Sequence, residues 1–486
     1  MTIRRAVLAF ALAGAPLAAH ALGPDYHRPD ITLSPAYHAA PPASRSAKPP
    51  ALDAWWDGFG DPELSQVVAR AEAQNLDNEQ ARARLLQSRA AAKAAGAALA
   101  PQVDTSSSAA AVRQSLDGPI GTIGRHLPGF ARDYEDYTLG VGASWEIDLF
   151  GGLRHAHQAA KADAAAAAAE AIAIRTSVAA EAADVYLQIR GLQARIEVAR
   201  RQERVEADLV GLLQQRADEG VSADRELREG EATLESVRAS IPPLIAALEA
   251  ELNRLDMLMG AEAGTYRTEL ADDAPIPPPP AIATGDGPAD LLRRRPDVLA
   301  AEQRLIAANA RIGAAISEYY PKVSISGLLG LDSLSAAQLF TGGAVAHQIG
   351  AGFGWRLFDF GRIDAEVTGA RGRDAEALAA YRATVYRATE EVEDAVSDLV
   401  QRQARAAALQ RQIAALAVAR GQAQQAYQEG ATSLVEVRDA DRDLLAASDQ
   451  LEQTRADAAR AAVAAYLALG GGWTPEEARL AQQRQR

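Results

Sequence analysis

Two short acidic patterns hold the side chains whose types and spacing could do chemistry. Gly220-Val-Ser-Ala-Asp224-Arg-Glu226-Leu-Arg-Glu229 and Gly430-Ala-Thr-Ser-Leu434-Val435-Glu436-Val437-Arg438-Asp439 both follow a glycine with carboxylates at helical spacing. Glu436 and Asp439 are three apart and so share one helix face, where paired carboxylates create a field that attracts cations. A purely structural account covers part of this. Gly220 and Gly430 suit the C-caps of preceding helices, and first-turn carboxylates favour the positive end of the next helix. Asp439 lies two turns in, where that account is weaker.

Other chemistries lack their residues. Cysteine is absent, which removes disulfides, thiolate metal sites and a cysteine nucleophile. His155 and His157 are two apart near a helix start, about 200° apart around its axis, which does not make a metal pair. Gly118-x-x-Gly121-x-x-Gly124 falls in a loop between strands rather than between a strand and a helix, the wrong place for a phosphate cradle. No Ser/His/Asp grouping has a nucleophile elbow. Methionine occurs only at Met1, Met257 and Met259, so no thioether ladder for Cu(I) is expected. The expectation is a protein that is not an enzyme and has no cofactor.

The elements that must position the carboxylates come from a tandem duplication. Trp145-Glu-Ile-Asp-Leu-Phe150-Gly151 aligns with Trp355-Arg-Leu-Phe-Asp-Phe360-Gly361 at an offset of 210 residues, which also maps Glu181, Asp184 and Gly220 onto Glu391, Asp394 and Gly430. Upstream, Asp77, Arg84 and Pro101 map onto Asp297, Arg304 and Pro321 at an offset of 220. Each half reads as helix, two strands, long helix, turn, helix. Helical blocks rich in Ala, Leu, Arg, Glu and Gln are expected over Pro62 to Ala98, Leu153 to Ala217, Ala223 to Met259, Pro288 to Ser317, Arg362 to Gln428 and Thr432 to Leu469. Pro242-Pro243 should interrupt and kink the third. The two longest blocks would each span roughly 100 Å, far more than a bilayer is thick. Pairs of shorter helices stacked end to end would match them, the geometry of a tube of helical hairpins.

In Tyr137-Thr-Leu139-Gly-Val141-Gly-Ala143-Ser-Trp145-Glu-Ile147 every odd position is apolar and every even one polar or glycine, and His347 to Leu357 repeats this from Ile349 onward. Val103 to Leu116 and Val323 to Leu331 alternate in part. A soluble sandwich with glycine at bulges could give this pattern. So could a membrane β-barrel. An open edge cannot sit in lipid, and four strands are too few to close a barrel, the smallest bacterial examples having about eight. Several copies would have to join, and two, three and four copies all satisfy the alternation.

Composition agrees with close-packed helices rather than a large globular core: hydrophobics are 48%, aromatics 5%, and alanine dominates. A net charge of −14 argues against nucleic acid as a partner. Arg4-Arg5, the apolar run Ala6 to Ala19 and Ala19-His20-Ala21 have the order of a secretory signal, cleaved after Ala21. The expected organisation is a signal peptide at 1–21, an extended segment at 22–61, a first repeat at 62–270, a proline-rich linker at 271–287, a second repeat at 288–472 and a tail at 473–486.

Gly23-Pro24-Asp25-Tyr26-x-Arg28-Pro29, Trp55-Trp56-x-x-Phe59-x-Asp61-Pro62-x-Leu64 and Leu291-Leu292-Arg293-Arg294-Arg295-Pro296-Asp297-Val298 together resemble the TolC-like outer-membrane efflux factors of the NodT/OprM-type branch. The resemblance implies a mostly α-helical homotrimer whose 12-stranded β-barrel, four strands per chain, stands in the outer-membrane lipid of a Gram-negative bacterium and continues into a long α-helical barrel in the periplasm. It further implies a periplasmic adaptor and an inner-membrane pump of RND type as partners, with the protein serving as a passive exit duct for small molecules. Members of the branch usually carry a lipidated cysteine where this chain has His20, so no lipidation is expected. A barrel anchors the protein without it, one acyl chain being only a marginal anchor.

By the same resemblance, Asp439 and Glu436 are the acidic rings of the closed entrance and Val435 its apolar constriction. The turns at Gly220 and Gly430 would meet the adaptor. Where the family usually has leucine before the aspartate, Arg438 stands within reach of Glu436 or Glu226. Glu226, Glu229 and Tyr427 are gate neighbours, with core packing the main role expected of Tyr427. The outer-membrane component of type I protein secretion shares this architecture and is the alternative within transport. A non-conducting periplasmic tether is the alternative outside it.

Overall fold

The structure, a computed structural model, describes residues 22–39, 49–219, 224–284 and 287–474. The signal at 1–21 with His20, the turn glycine Gly220 and the tail beyond 474 lie outside the described residues. Nine α-helices and four strands follow in chain order among the described residues. They are α1 (Pro62–Gln74), α2 (Leu76–Ala97), β1 (Gln102–Arg113), α3 (Pro119–Gly124), β2 (Asp133–Ile147), α4 (Gly152–Asp218), α5 (Asp224–Leu258), α6 (Leu291–Arg294), α7 (Pro296–Ser317), β3 (Lys322–Ser333), β4 (Val345–Gly354), α8 (Arg362–Gln428) and α9 (Leu434–Ala468). The chain divides into two compact units, one built on 87–164 and 303–379 with the first residues, the other on 30–86, 165–302 and 380–486.

The first unit holds one four-stranded antiparallel sheet in the order β1-β2-β3-β4. Pairing is continuous, with no skipped residue in any of the three ladders. The glycines therefore do not mark bulges. They make most of one face small, Leu328 apart: Ser106, Ser108, Thr138, Gly140, Ser144, Ser326 and Gly350 line up on it, and the Ser108 and Thr138 hydroxyls bond across it at 2.8 Å. Gly330 allows the closest approach to a neighbouring backbone, since a Cβ there would stand 2.8 Å from the Leu139 carbonyl oxygen. The opposite face carries Leu139, Val141, Trp145, Ile325, Leu329, Ile349 and Phe353, all solvent-exposed in the single chain. Strand alternation thus produces an apolar face with nothing among the described residues to cover it. The β1–β2 connection is not wholly a loop, since it contains the six-residue α3 that includes Gly121 and Gly124.

The long helices of the two repeats, α4 and α8, have 67 residues each. The other blocks differ from expectation in three places. The first and fourth blocks are each broken in two, at Asn75 and at Arg295, positions related by the repeat offset of 220. Asn75 Oδ1 accepts from the Asp77 and Asn78 amides at 2.8 and 3.2 Å, capping α2, while its Nδ2 donates to the Leu258 carbonyl at 3.0 Å. Arg295 precedes Pro296, which disfavours helical geometry before it. The third block is not interrupted: α5 runs through Pro242 and Pro243. Both prolines are exposed, as are Arg238 and Ala239, whose carbonyls lose their donors, so water can satisfy them.

The core of the second unit forms around Trp55, which lies parallel to Tyr466 with ring centroids 5.6 Å apart, with Phe59, Leu64, Val68, Tyr186 and Leu255 packed around them. The N-terminal segment is thus not extended throughout, because a 3-10 helix over Leu52–Phe59 delivers its aromatics to this core. Asp61 caps α1 by accepting from the Glu63 and Leu64 amides, with Pro62 beside it at the first helical position. Trp473 is also buried in this unit and donates to the Arg294 carbonyl at 2.9 Å.

Candidate functional site

The acidic pattern of the second repeat sits at the turn from α8 to α9, within the second unit. Gly430 has φ 73°, its amide bonds to the Tyr427 carbonyl at 3.0 Å and the Ala431 amide to the Ala426 carbonyl at 2.8 Å. These are the two bonds of a Schellman cap, which needs a left-handed residue and so favours glycine. Gly430 therefore has the structural role its position suggested. Beyond it Leu434 packs with Leu213 and Leu227, with Tyr427 and Leu209 against them. That small cluster ties the two helical hairpins together at this end. The Tyr427 ring lies 5.4 Å from the Arg216 guanidinium, which also donates to its hydroxyl, so Tyr427 packs in the cluster rather than facing open solvent.

With Leu434 and Val437 buried, helical periodicity turns Val435, Glu436 and Asp439 outward, and all three are exposed. One apolar and two acidic side chains thus share a face left uncovered among the described residues. The face is not purely acidic, because Arg442 approaches Asp439 at 3.4 Å. Glu436 has no ion-pair partner among the described residues. Glu226 stands half-buried on α5.

Arg438 corrects an expectation. Its guanidinium does not turn to Glu436 but crosses to α5, where it donates to the Glu229 carboxylate at 3.4 Å, to the Glu229 carbonyl at 3.0 Å and to the Thr233 hydroxyl. One residue before Asp439 is about 100° round the helix, which aims Arg438 inward at α5 while Asp439 points out.

A buried carboxylate beneath this face was not visible from the sequence. Glu206 on α4 is 2% exposed; Oε1 accepts from Gln202 at 2.8 Å and Oε2 has no hydrogen-bond partner among the described residues. Burial pushes its carboxyl upward from the usual value; the Gln202 hydrogen bond opposes the rise, Asp441 adds to it and the Arg438 charge opposes it. Asp441, also buried, is paired with Arg420 at 2.8 Å. Glu206, Glu229, Thr233, Val435, Arg438 and Asp439 all line one groove of about 670 Å³ between α4, α5 and α9. Glu206 belongs to the charged run Arg200-Arg-Gln-Glu-Arg204-Val-Glu206, and no pattern in that run marks it as the member that turns inward.

The two histidines go to different neighbours in the first unit. His155 is buried against Gly313 and Gly23, and His157 Nδ1 lies 3.2 Å from the Ala92 carbonyl. Among the described residues no three His, Cys, Asp or Glu side chains are grouped to hold a metal ion, and no helix is long and apolar enough to cross a membrane.

An antiparallel sheet with an uncovered apolar face, joined to helices of 67 residues, defines a TolC-like outer-membrane channel. The sequence model of the outer membrane efflux protein family matches residues 67–261 and 287–471, and the chain belongs to that family. It is 30% identical over 439 residues to the pyoverdine export outer membrane protein OpmQ of Pseudomonas putida, covering 90% of this chain and 92% of the relative. It is 29% identical over 467 residues to the toluene efflux pump outer membrane protein TtgF of Pseudomonas putida, covering 93% of each. The solved outer-membrane channel OprN superposes with a TM-score of 0.83 at 34% identity, over 93% of this chain and all of that one. The protein is an outer-membrane efflux channel.

Proposed function

We propose that three copies of this chain close a 12-stranded barrel in the outer membrane and form the passive exit duct of a tripartite efflux system. A periplasmic adaptor and an inner-membrane pump of RND type deliver the cargo, and this chain supplies a conduit rather than a reaction. The observation that carries the reading is the isolated sheet: β1 and β4 are edges among the described residues, and one face is mostly apolar and bare. In lipid every backbone polar group must be paired internally, so such a sheet is stable only as an arc of a closed ring. Small molecules are the cargo class that fits the relatives, which are named for pyoverdine export and toluene efflux.

Val435, Glu436 and Asp439 form the constriction in this reading. Symmetry copies of an outward acidic face at the start of α9 converge on the duct axis, where like charges concentrate cations and oppose closure unless compensated. The turn at Gly430 and the corresponding turn at Gly220 meet the adaptor. Purified protein in planar bilayers tests the whole reading. Discrete cation-favouring conductance steps are expected; a monomer that stays soluble without detergent and conducts nothing overturns it. Loss of resistance in a deletion strain, screened against drugs, dyes and metal salts, identifies the cargo.

A further inference from the structure

The duplication supplies a template, down to the residue, for how one copy joins the next. Each repeat contributes one hairpin, and the offsets read from the sequence carry first-repeat strands onto second-repeat strands: 220 for β1 onto β3, and 210 for β2 onto β4. The mapping can be checked inside the chain. Gln102 pairs with Ser144 in the first hairpin, and the two offsets carry this pair onto Lys322 and Gly354, which is the pair found in the second. The tryptophan anchors follow the same rule: Trp145 Nε1 donates to the Leu99 carbonyl at 3.0 Å, and Trp355 Nε1 to the Tyr319 carbonyl at 3.0 Å.

One junction remains. Inside the chain β2 meets β3, with Ala143 opposite Gly327 and Ile147 opposite Val323. Its repeat equivalent is β4 against a β1 that this chain has already used on its other side, so it can form only with a second copy. Resting on the ring reading above, we infer that β4 pairs with β1 of the partner subunit in the register that sets Phe353 opposite Ser107 of the partner subunit. Ile349 then faces Ala111 of the partner subunit, and Leu357 faces Val103 of the partner subunit.

Three observations support this register. Ile349 and Phe353 are 85% and 69% exposed, and the register sets each large side chain opposite a small one. β4 stops at Gly354 although the alternation continues to Leu357, because the next partner on β3 would be Pro321, which has no amide to donate. β2 passes the equivalent point because β3 pairs Trp145 and Ile147 from the other side. Partner β1 would do the same for Trp355 and Leu357. Finally, Phe150 stacks on Tyr320 at 4.7 Å, while its repeat counterpart Phe360 is fully exposed with φ 55°. The position equivalent to Tyr320 is Ala100, available to Phe360 only on the partner subunit.

The chain has no cysteine, so engineered pairs report without background. The test is oxidation of the full-length protein in outer membranes, carrying Phe353→Cys with Ser107→Cys, or Ile349→Cys with Ala111→Cys as an independent second pair. Directly opposite residues lie within disulfide reach while diagonal ones are about 7–8 Å apart, so both pairs should form covalent trimers at least about tenfold faster than Phe353→Cys with Thr105→Cys or with Ala109→Cys. A trimer that crosslinks better in an off-register pair, or in no pair, overturns the register and leaves the ring. A chain that runs as a monomer in detergent without oxidation, and crosslinks in no pair, removes the ring itself.

Discussion

Arg438 and Glu229 hold α9 to α5 immediately behind the exposed face of Val435, Glu436 and Asp439. The guanidinium takes both the Glu229 carboxylate at 3.4 Å and its carbonyl at 3.0 Å, with the Thr233 hydroxyl as a third acceptor. Arg438→Ala removes all three bonds. Hydrogen bonds to a charged group contribute roughly 1.5–3 kcal/mol, and where opening parts α9 from α5 a net loss of about 2 kcal/mol shifts the closed-to-open balance roughly thirtyfold. Longer open times and larger resting conductance are expected in single-channel records. Glu229→Ala, which spares the carbonyl and Thr233 contacts, should move the same quantity less. Equal or larger effects from Glu229→Ala would show that the carboxylate alone is the fastening.

The outward carboxylates should govern ion preference. Glu436→Ala with Asp439→Ala is expected to bring the cation-to-anion permeability ratio close to one, read as a reversal potential across a salt gradient. Arg442→Ala is expected to act in the opposite sense, since Arg442 lies 3.4 Å from Asp439 and partly neutralises it. An unchanged reversal potential in the double variant would take both carboxylates out of the pore.

These sites show where the sequence was legible. Alternation and helix-former runs located the strands and the long helices to within a few residues, because one apolar face per element is a local property. What escaped were contacts made through space. Asn75 breaks a helix-forming stretch by bonding to the Leu258 carbonyl, 183 residues away, and Arg438 selects Glu229 because α5 packs against it. Glu206 reads as one more surface charge until the fold buries it. The overrun of β4 to Leu357 has another cause, since that part of the pattern has no partner within one chain.

Glu206 should make stability depend on pH. Its folded carboxyl holds a proton more tightly than the unfolded one, so its contribution is fully present below the ordinary carboxylate value and is lost as pH rises through the elevated native value. Glu206→Gln keeps the shape and removes the ionisation. A higher thermal midpoint than the parent is expected at pH 7, with the difference closing as pH falls into the carboxylate range. A difference that stays constant with pH would mean that the buried carboxyl is not the titrating group.

Arg190 ties three parts of the second unit together and should be the least replaceable charge in it. It is 1% exposed, donates to the Asp272 carbonyl at 2.7 Å and to Gln193 at 2.8 Å, pairs with Glu63, and reaches the Tyr186 hydroxyl at 3.1 Å. Tyr186 in turn donates to Asp61, the cap of α1, so one guanidinium links α1, α4 and the segment after α5. Removing one partner of a buried pair strands the others, at a cost of about 3–5 kcal/mol; because Glu63 is partly exposed, about 3 kcal/mol is expected for Arg190→Ala. Arg190→Lys should recover little, since an ammonium cannot reproduce a planar fork that serves several acceptors. Glu63→Gln should cost much less, as the carbonyl and Gln193 contacts survive. Thermal melting followed by helical circular dichroism ranks the three variants, and a Lys variant as stable as the parent would reduce Arg190 to a simple point charge.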